Sequence, residues 1–386
     1  MKKITVKKLS KVDIKNLVPI PINENSGYRF LRQRLTYGCD PELFLSKNGV
    51  VVGSETVIPE NGLTRYGKII RDGIQVELNP TPSYCRQLIC ETIFSQIKTL
   101  QEIAVQGGLS VDMRVTVPIE KTTMDSLSKD SKVFGCNSSF NVYGELLDIA
   151  SIDGETHMKR SAGGHIHIGA SDPKILEILK NPDRLVPILD LVVANTMVMI
   201  DRDEGNIERR KMYGRAGEYR TPVHGLEYRT LSNFWLNNYT LSSMAFGLVS
   251  QAIDIVYFSD SVGSKNDYAT ELINLVNIKD VRDAINNNDY DLALINFNKI
   301  KKYLIAISCS SVYEPSVISK VTIKGLTKLI KNPDKDYYVK DKKVKGNTLY
   351  DNWLNTYNNR NAEGAERFLT RIGRVKSRIK NKENAE

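Results

Sequence analysis

Cysteine is scarce and badly placed for crosslinking. Its five copies (Cys39, Cys85, Cys90, Cys136 and Cys309) are scattered, odd in number and never in a CxxC pair. That spacing excludes a disulfide framework and a zinc ribbon, and suits a reducing compartment. Long apolar runs are also missing. The most apolar stretch, Leu185 to Ile200, falls short of the ~20 residues that cross a bilayer and contains Pro187 and Asp190. It reads as a buried helix with no membrane span. No apolar segment follows the Lys-rich first residues, so the start does not read as a secretory signal, and the expected location is cytoplasmic. No glycine-rich phosphate loop follows any strand-like run, which leaves a Rossmann or P-loop reading without support. Histidine is rare too: all four copies (His157, His165, His167 and His224) lie between residues 157 and 224.

What is present fits an ordinary globular chain, with 41% hydrophobic and 26% charged residues. The net charge of +9 sits at the ends. Residues 1–20 hold six Lys against one Asp, and residues 325–386 hold fifteen Lys and Arg against eight Asp and Glu. Such ends are either solvated or in contact with nucleic acid.

Strand-like runs dominate the first two-thirds. Arg34 to Leu45 and Gly49 to Gly53 predict a hairpin over 36–53, residues 54–73 read as a loop, and Ile74 to Leu78 alternates again. Ser83 is placed to cap a helix in which Leu88, Ile89, Ile93, Ile97, Leu100 and Ile103 recur, ending at Gly107-Gly108. Leu109 to Val117 returns to period 2. Helices are expected over 172–180 and 185–200, then about 240–259, 268–276, 279–287 and 290–304. An exposed amphipathic helix is expected over Ala362 to Lys382. Half-polar, alternating strands favour an antiparallel or mixed sheet over a doubly wound parallel one.

Four strand-like stretches carry chemistry at i, i+2 spacing, which puts each pair on one face. They are Asp40 with Glu42, Gln75 with Glu77, His165 with His167, and Glu227 with Arg229, the last preceded by Arg215 and Arg220. Any one is compatible with a polar face in water. Together they describe a self-repelling acidic face that needs cations, and hard oxygen ligands with a histidine suit Mg²⁺ or Mn²⁺. The arginines would then handle phosphate or carboxylate groups. Divalent cations with arginines are what phosphoryl transfer requires.

The motifs are Gly38-Cys-Asp40-Pro-Glu42-Leu-Phe-Leu45, Asp72-Gly-Ile-Gln75-Val-Glu77-Leu-Asn-Pro80, Gly163-Gly-His165-Ile-His167-Ile-Gly169, Arg215-Ala-Gly-Glu-Tyr-Arg220-Thr-Pro222 and Gly225-Leu-Glu227-Tyr-Arg229. In this order the chain resembles the phage amidoligase family of the glutamine synthetase-like superfamily. The resemblance implies an α+β fold: a curved, mainly antiparallel sheet with helices on its outer face, plus a helical C-terminal third. It implies an arm over 1–30, a catalytic domain over 31–305 with its motifs in 36–235, and a basic extension over 306–386.

The implied activity is an ATP-dependent carboxylate–amine ligase that activates a carboxylate as an acyl phosphate. Asp40, Glu42, Glu77, His165 and Glu227 would hold Mg²⁺ or Mn²⁺. Arg215, Arg220 and Arg229 would grip the γ-phosphate and the acyl phosphate, with His167 and Lys68 as further ATP or substrate contacts. The implied partners are an acid and an amine: a peptide, a cell-wall fragment or a protein side chain. Glutamine synthetases carry one more metal carboxylate eight residues before Glu77, where this chain has Ile69; Asp72 lies nearby. His167 reads equally as a structural histidine, His224 as a loop residue, Lys68 and Arg71 as solvated loop, and Cys39 as a core thiol. Two other readings stand beside the ligase. One is a metal-dependent hydrolase built on His165-x-His167; the other is a virion or nucleic-acid-associated protein using the basic tail with Tyr337, Tyr338, Tyr350, Trp353 and Tyr357.

Overall fold

The structure is a computed structural model that describes residues 35–60, 62–84, 86–132, 134, 139–145, 153–201, 203–260, 267–310 and 348–357. The arm over 1–30, the pair Tyr337 and Tyr338, and the helix expected over 362–382 lie outside those residues. Thirteen short strands are described: β1 (Leu35–Cys39), β2 (Glu42–Lys47), β3 (Val50–Val52), β4 (Leu63–Thr64), β5 (Gly67–Asp72), β6 (Gln75–Pro80), β7 (Ser110–Asp112), β8 (Thr116–Pro118), β9 (Phe140–Asn141), β10 (Lys159–Ser161), β11 (Ile166–Ala170), β12 (Glu218–Arg220) and β13 (Gly225–Tyr228).

They form two main antiparallel sheets rather than one. The first runs β1-β11-β13-β12-β9, the second β3-β2-β6-β5-β4 with β7 also on β2, and β10 pairs β8 apart from both. The chain crosses between the main sheets at Asp40-Pro41. On one side the Asp40 and Glu42 amides donate to the carbonyls of His165 and Gly163, while the Pro41 carbonyl accepts from Leu78 of β6. Proline has no amide to satisfy, which suits a residue whose carbonyl alone is needed.

The hairpin over 36–53 forms as β2 and β3, turning on Asn48 and Gly49 with φ of 53° and 83°, the pair of positive values such a two-residue turn demands. Residues 54–73 are not a loop: β4 and β5 lie there. Ile69 of β5 faces the core and the adjacent Ile70 faces the acidic side opposite Glu77, so apolar residues occupy both faces and hide the alternation. Leu109 to Val117 is two strands in different sheets instead of one. Ser83 pairs with Tyr37 through both backbone groups, just ahead of the helix that begins at Arg86.

One large core joins the sheets to the helices. The helix Arg86–Gln106 buries Ile89, Cys90, Ile93, Ile97, Leu100 and Ala104, leaving Leu88 exposed. Helical backbone runs from Pro182 to Val198, widening to a π-helical turn over Asp190–Ala194 that lies shortly after Pro187. Proline removes one helical bond, and the wide turn carries the fully buried Asp190 toward the tyrosines Tyr143 and Tyr228, 3.0 and 2.7 Å away. Further helices span Tyr239–Ser259, Tyr268–Leu275, Ile278–Asn286 and Tyr290–Ser310, the last running across residue 305 where the sequence suggests a boundary. No described helix is long and apolar enough to cross a membrane.

Trp353 ties the end of the described chain to this core. It is fully buried, stacks on Phe94 with ring centroids 5.9 Å apart, and donates from Nε1 to the Leu236 carbonyl at 2.6 Å. Tyr350 and Tyr357 also contact Phe94, so these aromatics serve the core. Trp353→Ala is expected to cost about 3–5 kcal/mol in denaturant unfolding, the range for deleting a buried aromatic. A variant as stable as the wild type would show that the stack contributes nothing.

Candidate active site

Strand alternation puts the acidic groups opposite the main core. On β11, Ile166 and Ile168 are fully buried in the core while His167 faces away; on β13, Leu226 and Tyr228 do the same beside Glu227. Register then lines the groups up. His167 lies opposite Glu227, Glu227 opposite Arg220, and Glu42 opposite Glu77. Cys39, one residue off, falls on the core side as a buried free thiol, its pKa pushed well up by burial and then by the Asp40 charge.

Two ligand sets result. Asp40, His165 and Glu227 have ligand atoms within 4.8 Å of one another, and so do Glu42, Asp72 and Glu77. In the first, His165 Nδ1 lies 3.3 Å from Asp40 Oδ1 and 3.7 Å from Glu227, while His167 Nε2 lies 3.1 Å from Asp40 Oδ2. Gly163 and Gly164 make this possible. A Cβ on Gly163 would stand 2.5 Å from His165 Nε2, and one on Gly164 2.3 Å from the Ser232 carbonyl. In the second set, Glu42 is buried; Gln75 donates to it at 3.2 Å, and the Tyr213 hydroxyl lies 2.8 Å from both Glu42 Oε2 and the Ser161 carbonyl. Asn79 donates to Glu77.

The electrostatics divide the same way. Burial acts to raise the Asp40 pKa, but the charge and hydrogen bond of His165, then those of His167, hold it well below the usual carboxylate range. Burial acts to lower His167, and Asp40 overcomes it so that the imidazole is raised. In the second set the opposing contributions do not win. Burial, then the charges of Asp40, Asp72 and Glu42, push Glu77 up to about 9. Burial, then Glu42 and Asp40, push Asp72 up to about 7, with Arg229 and Arg220 opposing. Like charges held together out of water favour protons or a cation.

The residues fit divalent ions on two observations. The oxygen-rich sets match hard cations, and His165 Nε2 is buried with no hydrogen-bond partner among the described residues. Ile69, eight residues before Glu77, is a core residue, whereas Asp72 joins Glu42 and Glu77.

The arginines are not equivalent. Arg229, fully buried, donates to Glu227, and Arg220 lies 3.6 Å from the same carboxylate. Arg215 instead pairs with Glu145 at 3.2 Å. Lys68 shares the acidic face opposite Asn79 but is exposed, so it stands at the rim. Arg71 is on the other face and donates to the Ile58 carbonyl at 2.6 Å. His224 is exposed, as a loop residue should be, yet its Nε2 lies 3.1 Å from His167 Nδ1.

Tyr213, Glu145, Arg282 and Arg209 carried no sequence signal, because each reaches its place through the fold. Arg209 is fully buried, stacks 4.6 Å over the Tyr213 ring, and donates to the carbonyls of Arg229, Thr230 and Leu231 at 2.8–3.0 Å. It braces the end of β13 against the tyrosine that contacts Glu42.

Mn²⁺ is expected to raise the melting temperature of the wild type and to have much less effect on Glu77→Gln. Both Asp72 and Glu77 have folded pKa values above their unfolded ones. Their contribution to metal-free stability is complete below pH about 4 and is lost as pH rises through about 7 and about 9. The Mn²⁺-induced increment should grow over the same window, since the ion replaces those protons. A melting temperature indifferent to Mn²⁺ from pH 6 to 9 would contradict the assignment.

Residues 147–258 match the family model described as Phage phiEco32-like COOH.NH2 ligase-type 2. That stretch holds His165, His167, Arg215, Arg220, Glu227 and Arg229, while Asp40, Glu42, Asp72 and Glu77 precede it. No curated relative matches the chain. Among solved structures, a bifunctional glutathione synthetase from Pasteurella multocida is similar, with a TM-score of 0.35 and 10% identity over 84% of this chain and 54% of that one. This chain thus spans about half the length of that protein.

Proposed function

We propose that the chain is an ATP-dependent carboxylate–amine ligase that activates an acid as an acyl phosphate and joins it to an amine. The observation that carries this reading is the pairing of two oxygen-rich ligand sets with Arg220 and Arg229 on the strands beside them. The likeness of residues 147–258 to a carboxylate–amine ligase family, and the order of the five motifs, supply the reaction class. Kinship with glutamine synthetase is part of this proposal.

In it, Asp40, His165 and Glu227 hold one divalent ion, and Glu42, Asp72 and Glu77 a second. Bound there, Mg²⁺ or Mn²⁺ supplies positive charge that neutralises phosphate oxygens. A carboxylate is a poor electrophile until one of its oxygens becomes a phosphate leaving group, so two anions must be held in contact. Arg220 and Arg229 do that holding. Glu227 fixes the Arg229 guanidinium in position, and Arg209 fixes the backbone that follows it. His167, half-buried between Asp40 and His224, lines the outer edge of the same face. The acid and amine are open among peptides, cell-wall fragments and protein side chains.

An open-site zinc hydrolase fits less well. His165 and His167 both turn onto Asp40, and most donors are carboxylate oxygens. Incubation with ATP, Mg²⁺, hydroxylamine and a panel of carboxylic acids is expected to yield ADP and a hydroxamate. Glu77→Ala should lower both by about 10–100-fold or more. Equal ADP release from the wild type and Glu77→Ala would sink the site.

A further inference from the structure

A second charged cluster stands beside this face. Glu145, just after the turn that follows β9, contacts two guanidiniums at once: Arg215 Nη2 lies 3.2 Å from its Oε2, and Arg282, on the helix Ile278–Asn286, donates to its Oε1. Two cations therefore share one carboxylate. All three side chains are only partly covered, between 26 and 30% exposed, so solutes reach them. Arg215 Nε and Arg282 Nε are buried with no hydrogen-bond partner among the described residues, which leaves donors unused on both forks.

The two arginines are held independently of Glu145. The Arg215 amide donates to Glu218 Oε1 at 3.0 Å, its carbonyl accepts from Thr230 Oγ1 at 3.0 Å, and the next amide, Ala216, donates to Asn286 at 2.9 Å. Asn286 belongs to the same helix as Arg282, so this bond fixes the arginine-bearing elements to each other. The Arg282 guanidinium lies 4.7 Å over the Tyr143 ring, and the Tyr143 hydroxyl is anchored on buried Asp190 at 3.0 Å. Glu145, by contrast, follows the Gly144 turn (φ 76°), and among the described residues its carboxylate pairs with the two arginines alone. The loop of Arg215 leads straight into β12, whose Glu218 carbonyl accepts from the Arg229 amide at 3.1 Å. The cluster thus adjoins the strands of Arg220 and Arg229.

We propose that Arg215 and Arg282 form an oxyanion clasp in which a ligand's phosphate or carboxylate exchanges with the Glu145 carboxylate. Two planar forks from fixed backbones suit a group with several oxygens, and two guanidiniums share the single Glu145 carboxylate. The clasp rests on the ligase reading for the identity of its ligand, a phosphoryl group or the acid substrate. Its existence does not depend on that reading. Arg215 lies within residues 147–258, which match the ligase family model, and is expected from the resemblance to grip phosphate; Glu145 and Arg282 lie outside that match, and their part in the clasp is the new element.

The test is calorimetric titration of the metal-free, ATP-free protein with inorganic phosphate and, separately, with glutarate, at constant ionic strength. Removing the internal competitor by Glu145→Gln should tighten binding several-fold. Arg282→Gln should weaken it about tenfold or more, the scale of a lost charge-assisted hydrogen bond, and Arg282→Lys should fall between. Preference for phosphate assigns the clasp to a phosphoryl group, and preference for glutarate assigns it to the acid. A purely structural ion pair predicts the opposite for Glu145→Gln, with binding unchanged or weaker. That result, or phosphate and glutarate binding that ignores Arg282→Gln, or no binding of either anion, overturns the clasp. Tightening by Glu145→Gln requires folded protein, so it cannot arise from misfolding. ADP release is not read in this assay, so failure of the clasp and failure of the ligase reading are separate results.

Discussion

Repulsion among buried carboxylates is the constraint around which this structure is built. Glu42, Asp72 and Glu77 converge from three strands, Glu227 joins from a fourth, and Asp40 comes from the link between β1 and β2. Charges of one sign taken out of water cannot stay ionised without compensation. The protein supplies it unevenly: two imidazoles face Asp40, two guanidiniums face Glu227, and Glu42 receives hydrogen bonds from Gln75 and the Gly163 amide. Asp72 and Glu77 receive least, and their pKa values rise accordingly. The imbalance marks where positive charge from outside has most to do.

Much of the rest supports that convergence. Glycines at 163 and 164 let the chain pass against the His165 ring and the Ser232 carbonyl. Trp235 donates to the Gly164 carbonyl at 2.9 Å and Asn233 to the Glu42 carbonyl at 3.0 Å, so the segment after β13 stitches both ligand sets from behind. Arg209 spends its donors on that same segment. A buried arginine hydrogen-bonded to carbonyls rather than to an acid leaves its positive charge near the acidic face.

The i, i+2 pairs were legible because strand geometry alone decides which face they share. Asp40 with Glu42, His165 with His167, and Glu227 with Arg229 needed no knowledge of the fold. The helices over 239–310 were equally readable, since each carries its own apolar stripe. What could not be read was pairing between distant strands. Residues 54–73 look like a loop in the sequence because Ile69 and Ile70 serve opposite faces, and without β5 nothing places Asp72. Lys68 shared its fate in the other direction, on the right face but at the exposed end. Glu145 and Arg282 are 137 residues apart, and only the docking of a helix brings them together.

The crossing at Asp40-Pro41 has a consequence for how the site tolerates change. Asp40 belongs to one ligand set and Glu42 to the other, and both stand on one extended stretch of backbone. The Cα spacing of those two ligands is therefore a covalent length, about 6.5–7 Å for two extended residues. The remaining ligands have no such tie: His165 and Glu227 ride with the first sheet, Asp72 and Glu77 with the second. A shift of one sheet against the other would open both sets around the fixed pair, so the packing between the sheets guards the geometry of the acidic face.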